Sequence, residues 1–279
     1  MDDLNGRVAV ITGGGSGIGR GVALGLAAEG MTVAVADVQA ANARAVAAEI
    51  EAAGGRALAV AVDVTSAESL AAAAEDVVAR AGGVNLLCAN AGVLGRIAPL
   101  DAHTVADWEY MLSVNLMGVV KTVAAFLPAL RRSAPDAHVV NTASLGGLTA
   151  EVRAPIGGYI ASKYACVGYS EVLRAELAGE GIGVSVLCPG VVASNLTGTS
   201  AANRPGVFGE QPAPELVGAG GADAGTLTVH AMPAEEVGPI VIRAIRANRF
   251  HVLTHPRARP LVEARFRAML DDFDFAAGG

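Results

Sequence analysis

Arg7-Val8-Ala9-Val10-Ile11-Thr12-Gly13-Gly14-Gly15-Ser16-Gly17-Ile18-Gly19 is the stretch that decides how this chain folds. Its first five residues form an apolar run rich in β-branched side chains, which reads as a buried strand. A glycine-rich loop follows at once. Over residues 20–29 the apolar residues recur at helical spacing, and Gly30 stops them. Strand, glycine loop and helix in that order present free backbone N–H groups and a positive helix end to a phosphate. Glycine is required where the backbone turns tightly or approaches a ligand closely. A merely flexible loop could carry the same glycines, but the strand before and the helix after point to a dinucleotide.

The next strand, residues 32–36, ends in Asp37. An acidic side chain about 20 residues past the glycine loop accepts hydrogen bonds from the adenosine ribose and repels a 2′-phosphate. No basic residue lies between Gly13 and Gly19, and Arg20 falls inside the helix, so NAD is expected in preference to NADP. Capping of the following helix is the alternative use of Asp37. Further strands read at 57–62, 84–89, 138–144, 183–187 and 250–254, with helices between them. Ser66 reads as half of a capping box, because Ser69 stands where Glu would complete it. The alternation implies one Rossmann-type, doubly wound α/β domain over residues 1–279. It has a parallel sheet of about seven strands and helices on both faces. Ligands on such sheets bind outside the carboxyl ends of the strands.

Composition narrows the function. With 52% hydrophobic and 17% charged residues the chain is globular, and a net charge of −7 argues against a nucleic-acid partner. No run of about 18 uninterrupted apolar residues suggests a membrane span. The acidic N-terminus lacks the apolar core of a signal peptide. Cys88, Cys166 and Cys188 sit in apolar runs without metal spacing, which fits reduced, buried thiols in a cytoplasmic protein.

Only two lysines, Lys121 and Lys163, stand against eighteen arginines. Lys163 closes Tyr159-Ile160-Ala161-Ser162-Lys163, in a segment that reads as helix, so phenol and ammonium share a face. An ammonium favours the phenolate, and a tyrosine so tuned is a general acid/base near neutral pH. Ser144 ends a strand fifteen residues earlier. Asn115 is an amide within an apolar helix expected over 105–130, and a buried unpaired amide would cost roughly 1–3 kcal/mol.

The T-G-x-x-x-G-x-G loop, Asn90-Ala91-Gly92 after the fourth strand, the serine at a strand end, Tyr-x-x-x-Lys and Pro189-Gly190 together resemble the short-chain dehydrogenase/reductase family over residues 5–194. Ala89 departs mildly from that family's N-N-A-G. The resemblance implies hydride transfer between NAD and a secondary alcohol or ketone. Tyr159 would be the acid/base, and Lys163 would assist it and bind the nicotinamide ribose. Ser144 would hold the substrate oxygen, and Asn115 would join through a backbone kink and an ordered water. It further implies cofactor contacts at Gly13, Ser16, Gly17, Ile18, Gly19, Asp37, Asp63, Val64, Asn90, Ala91, Gly92, Pro189, Gly190, Val192 and Ser194. Homodimers or homotetramers packed through the helices of Asn115 and Tyr159 are expected, and no metal.

Residues 195–232 are dominated by Gly, Ala, Pro, Ser and Thr with little periodicity, which reads as a mobile substrate lid. Its scarcity of charge suggests an apolar substrate. Residues 145–158 read as a loop over the cleft. A helix is expected over 233–248, and a last one over 257–271 within an arginine-rich stretch. A frayed tail or subunit contact is expected after it. Two other functions are compatible with the fold: an NADPH-dependent 3-oxoacyl thioester reductase, and a dinucleotide-sensing regulator without catalysis.

Overall fold

The computed structural model describes residues 1–149, 155–210 and 231–277. Seven strands form one sheet: β1 (Val8–Thr12), β2 (Thr32–Asp37), β3 (Arg56–Ala61), β4 (Leu86–Ala89), β5 (Ala137–Thr142), β6 (Ile182–Cys188) and β7 (His251–Leu253). Their order is β3-β2-β1-β4-β5-β6-β7, and every pairing is parallel. From β1 the chain winds out to β3, returns to β4 and winds the other way. The crevice between β1 and β4 is therefore the point where the winding reverses, and ligands enter open α/β sheets at such a point.

The helices are α1 (Gly17–Ala28), α2 (Ala40–Ala52), α3 (Ala67–Ala81), α4 (Val105–Asn115), α5 (Met117–Ser133), α6 (Gly157–Leu177), α7 (Leu196–Ala202), α8 (Val237–Arg246) and α9 (Arg259–Ala276). All five residues of β1 are buried, as a strand covered on both faces requires. Val8 and Val10 join the core made with α3, α4, α5 and α6, while Ala9 and Ile11 join the core made with α1, α2 and α8. The period of two thus divides one continuous apolar run between two layers of helices.

Five expectations change. The helix expected over 105–130 is two, because Leu116 leaves helical geometry (φ −115°, ψ −64°) between α4 and α5. Residues 105–133 are long and apolar enough to cross a membrane by length and composition, yet they bury Tyr110, Met111, Val123 and Phe126 in the protein's own core. The described part of the lid contains α7 and a 3-10 turn at Gly206–Phe208, while its residues 211–230 lie outside the described residues. The last helix continues to Ala276 and takes in the acidic stretch expected to fray. In the loop over 145–158, Leu145–Gly147 forms a 3-10 turn and residues 150–154 lie outside the described residues. The helix expected from 233 starts as a 3-10 turn at Ala234–Glu236 and becomes α8 at Val237. The half box at Ser66 is as expected: its hydroxyl accepts the Ser69 N–H at 3.0 Å.

Candidate active site

Glycine at 13, 17 and 19 is explained by what surrounds it. Gly13 holds φ +63° and Gly17 φ +47°, a region in which side chains are strained. A Cβ on Gly13 would lie 2.9 Å from the Ala91 backbone, and one on Gly19 would collide with the Gly13 carbonyl. The loop is therefore packed hard against the turn after β4. α1 begins at Gly17, three residues earlier than the apolar spacing suggests, so the helix end opens directly on the crevice.

Asn90 and Thr12 lock this junction. The Asn90 amide donates to the carbonyls of Thr12 (3.1 Å) and Gly13 (3.3 Å), and its oxygen accepts from the Thr142 hydroxyl (3.2 Å). Thr12 Oγ1 accepts the N–H groups of Asn90 and Ala91. These bonds tie β1, β4 and β5 together at their carboxyl ends.

Asp37 ends β2 and is buried. Its Oδ2 accepts the Gly15 N–H at 3.0 Å and its Oδ1 the Gln39 N–H at 2.9 Å. The carboxylate thus orders the start of α2 and faces the glycine loop. Arg20 is committed elsewhere, donating to Glu49 at 2.9 Å and to Glu235 at 2.6 Å. Those bonds raise its already high pKa and hold the cation away from the cleft. The Asp63 carboxylate accepts both the N–H and the hydroxyl of Thr65.

A cavity of about 260 Å³ runs over these ends. Gly13, Ser16, Gly17, Ile18, Gly19, Asp37, Asp63, Val64, Asn90, Ala91, Gly92, Tyr159, Lys163, Pro189 and Ser194 line it, all expected from sequence. Lys163 is buried; its Nζ donates to the Thr142 carbonyl at 2.9 Å and stands 5.6 Å from the centroid of the Tyr159 ring.

Asn115, Ser144, Gly190 and Val192 are not in the lining. The Asn115 amide donates to the Val93 carbonyl (2.8 Å) and Ser162 Oγ (3.0 Å), and its oxygen accepts the Val93 N–H (2.8 Å). The buried amide is thus satisfied by protein. Ser162 passes its own proton to the Tyr159 carbonyl at 2.7 Å. A Cβ on Gly92 would lie 3.3 Å from both Asn115 Oδ1 and Lys163 Nζ, so these two groups converge there. Ser144 Oγ accepts the Gly146 N–H at 3.1 Å, which leaves its hydroxyl hydrogen to donate. The Gly190 N–H points at Thr254 and His255, and a Cβ there would strike the His255 ring. Val192 bridges Met232 through the Val191 carbonyl and the Ala193 N–H, so the bridge does not use the peptide groups of Val192.

Sequence reading missed the groups that close the cavity: Asn42, Tyr110, Thr142, Asn195, Leu196, Thr199, Asn203 and Pro205. Most belong to the segment around α7, which is pinned down by a buried ion pair between Arg204 and Asp107 (2.9 Å). Burial raises the Asp107 pKa, but hydrogen bonds from Thr104 and the Arg204 charge outweigh it and the net shift is downward. The Tyr110 hydroxyl donates to the Ser200 carbonyl at 2.8 Å, and Gln39 Nε2 reaches Asn203 Oδ1 at 2.7 Å across the mouth. Burial pushes Tyr110 up to about 12, so this phenol stays protonated although it shares the cavity with Tyr159. A signal existed at Thr104-Val105-Ala106-Asp107, a Thr-x-x-Asp capping box, but nothing local ties Asp107 to an arginine 97 residues away. All three cysteines are free and buried; burial pushes Cys88 and Cys188 up to about 12. They are inert core thiols. No cluster able to hold a metal ion occurs among the described residues.

A family model described as short chain dehydrogenase matches residues 7–205. The CLA biosynthesis dehydrogenase/reductase of Lactiplantibacillus plantarum is 31% identical, across 98% of this chain and 96% of its own. The cyclohexanol dehydrogenase of Acinetobacter sp. (strain SE19) is 35% identical, across 69% of this chain and 76% of its own. Among solved structures, a short chain dehydrogenase/reductase from Burkholderia phymatum in complex with NAD superposes with a TM-score of 0.86. It is 33% identical and covers 98% of this chain and 97% of its own.

Proposed function

Because this chain belongs to the short-chain dehydrogenase/reductase family, we propose that it transfers a hydride between NAD and an apolar secondary alcohol or the matching ketone, with Tyr159 as general acid/base. The observation that carries this reading is that Tyr159 and Lys163 line the same cavity as the glycine loop and Asp37. The start of α1 would hold the phosphates of a dinucleotide and Asp37 its ribose, which leaves Tyr159 and Lys163 for the nicotinamide end. The residues present fit the cofactor: the loop cannot hold larger side chains, and Asp37 supplies the acceptor a ribose needs.

NAD, when bound, would supply the acceptor for the hydride of the carbinol carbon. Tyr159 takes the hydroxyl proton as that hydride leaves. The Lys163 ammonium beside it stabilises negative charge on the phenol oxygen. Two of its three donors remain after the bond to Thr142, enough to hold a ribose hydroxyl. Ser144 donates its free hydrogen to the substrate oxygen and stabilises developing charge there. We assign Asn115 the support of Lys163 and of the turn after β4, together with the ordered water of a proton relay. Asp37 and the diversion of Arg20 to Glu49 and Glu235 both favour NAD over NADP, and with NAD the oxidation of alcohol. Val93, Val114 and Leu196 at the cavity support an apolar substrate, as does likeness to an enzyme named for cyclohexanol. We further propose a cytoplasmic homodimer or homotetramer, using the outer faces of α5 and α6, where Met117 and Val172 are exposed.

The direct test is Tyr159→Phe, followed by the absorbance of reduced nicotinamide with a panel of secondary alcohols and ketones. Turnover should fall by roughly 10²–10⁴, the usual contribution of a general acid/base, while NAD binding is nearly unchanged. A variant as active as the parent removes Tyr159 from the mechanism. A parent that binds NAD but turns over no member of the panel favours the regulator instead.

A further inference from the structure

Among the described residues, the second half of α9 has no partner within its own chain. Only the first two turns of this helix rest on the body: Val262 packs against the small core around Cys166 and Val167, and the Arg265 guanidinium stacks 5.0 Å from the Tyr164 ring. From Phe266 to Ala277 every residue is exposed. Phe266, Met269, Leu270 and Phe273 nevertheless repeat at i, i+3, i+4 and i+7, and so form one apolar stripe in solvent, with Phe273 68% exposed. A short helix without tertiary contacts is marginal in water, and a stripe of this width marks a contact surface.

We propose that this stripe is an interface with a second copy of the chain, formed by antiparallel pairing of the two α9 helices about a two-fold axis. The charges select the occupant. The body end of this segment carries Arg257, Arg259, Arg265 and Arg267 against one acid, Glu263, which pairs with Arg259, and the free end carries Asp271, Asp272 and Asp274. Antiparallel pairing lays the acidic end of each copy on the basic end of the other; parallel pairing would set like on like. Arg265 and Asp272 are seven residues apart and so lie on one flank of the stripe. A two-fold axis midway between them brings Arg265 of each copy against Asp272 of the other, so a single contact occurs twice. An anionic lipid surface, by contrast, would meet three carboxylates. This contact is independent of the proposed reaction, and it adjoins α6, on whose Tyr164, Cys166 and Val167 the first turns of α9 rest.

The test is the mass of the full chain by sedimentation velocity over a concentration series, with turnover as a check that each variant is folded. The parent should assemble with twice the protomers found for Phe266→Glu/Phe273→Glu. Arg265→Asp and Asp272→Arg should each raise the dissociation constant at least tenfold, and the double variant R265D/D272R should restore assembly. A monomeric parent, variants with the parent's mass, or a double variant that stays dissociated each overturns the proposal. A monomeric parent that co-sediments with phosphatidylcholine vesicles would assign the stripe to a membrane surface instead.

Discussion

Val38 is where the cofactor argument can be tested with one side chain. It follows Asp37, lines the cavity and is half exposed, so a longer residue fits without disturbing the core. Replacing Asp37 itself is less clean, because its carboxylate also orders Gly15 and Gln39. With Val38→Arg, a guanidinium meets the 2′-phosphate of NADP, and a charge-assisted hydrogen bond of this kind contributes about 1.5–3 kcal/mol. The NADP-to-NAD ratio of kcat/KM should rise roughly 10- to 100-fold; an unchanged ratio would contradict the ribose reading. Asn115 offers a second test. Asn115→Leu leaves the Val93 N–H and C=O unpaired in the core, each costing about 1–3 kcal/mol. The variant should lose several degrees of Tm and most of its turnover, whereas a variant of normal stability and rate would mean that the amide is dispensable. Both residues were legible from sequence for local reasons. Asp37 is tied to the glycine loop by spacing alone, and an amide inside an apolar helix requires partners. The identity of those partners, Val93 and Ser162, was not legible, because they arrive from other elements.

At the scale of elements, the same division between local and distant information explains α7. Its residues, Leu196-Thr197-Gly198-Thr199-Ser200-Ala201-Ala202, are small and weakly helical, so no period announces a helix. What fixes it is tertiary: Leu94 donates its N–H to Ser200 Oγ at 2.7 Å, Tyr110 donates to the Ser200 carbonyl, and Arg204 pairs with Asp107. Arg204 also holds the carbonyls of Phe208 and Gly209, so one guanidinium gathers both ends of the segment. Both members of the pair are almost wholly buried, and breaking such a pair costs about 3–5 kcal/mol because the remaining charge is stranded. Arg204→Met should therefore release α7 from α4. Asn195, Leu196, Thr199 and Asn203 would leave the cavity with it, so KM for NAD should rise roughly tenfold or more. Limited proteolysis near residue 204 should accelerate in parallel. A normal KM with faster proteolysis would show that the segment does not contribute to cofactor binding. The break at Leu116 has a similar origin: the apolar pattern runs through it, and the geometry changes where Asn115 turns inward to meet Val93.

For the whole molecule, the parallel sheet was legible because each strand is a short apolar run followed by a turn and a helix, whereas the strand order emerges only from the pairings. The outward course of α9 was not, since an amphipathic sequence does not say whose surface it meets. Stability against acid is a property at this same scale, and it is set in part by His138 in the centre of the sheet. His138 lies on β5 with its Nε2 2.8 Å from Ser185 Oγ on β6. The Ser185 proton goes to the Arg249 carbonyl, so the imidazole donates from Nε2. Burial, followed by the positive charges of the N-terminus and Arg174, depresses its pKa from 6.5 to about 3. A base whose pKa is depressed by folding is protonated first in the unfolded chain. Below pH 6.5 the unfolded state takes up a proton that the folded state refuses until pH falls to about 3, so this residue lowers stability progressively across that window. Above pH 6.5 both states are neutral and the effect vanishes. Between pH 7 and pH 5 the loss from this one group amounts to about 2 kcal/mol. Urea unfolding at the two pH values measures it, with His138→Gln as the control that keeps a donor toward Ser185 but does not titrate. The parent should lose about 2 kcal/mol more than the variant on acidification. Equal losses would mean that His138 accepts its proton without unfolding, and that the β5–β6 junction tolerates a charge the geometry around Ser185 gives it no means to solvate.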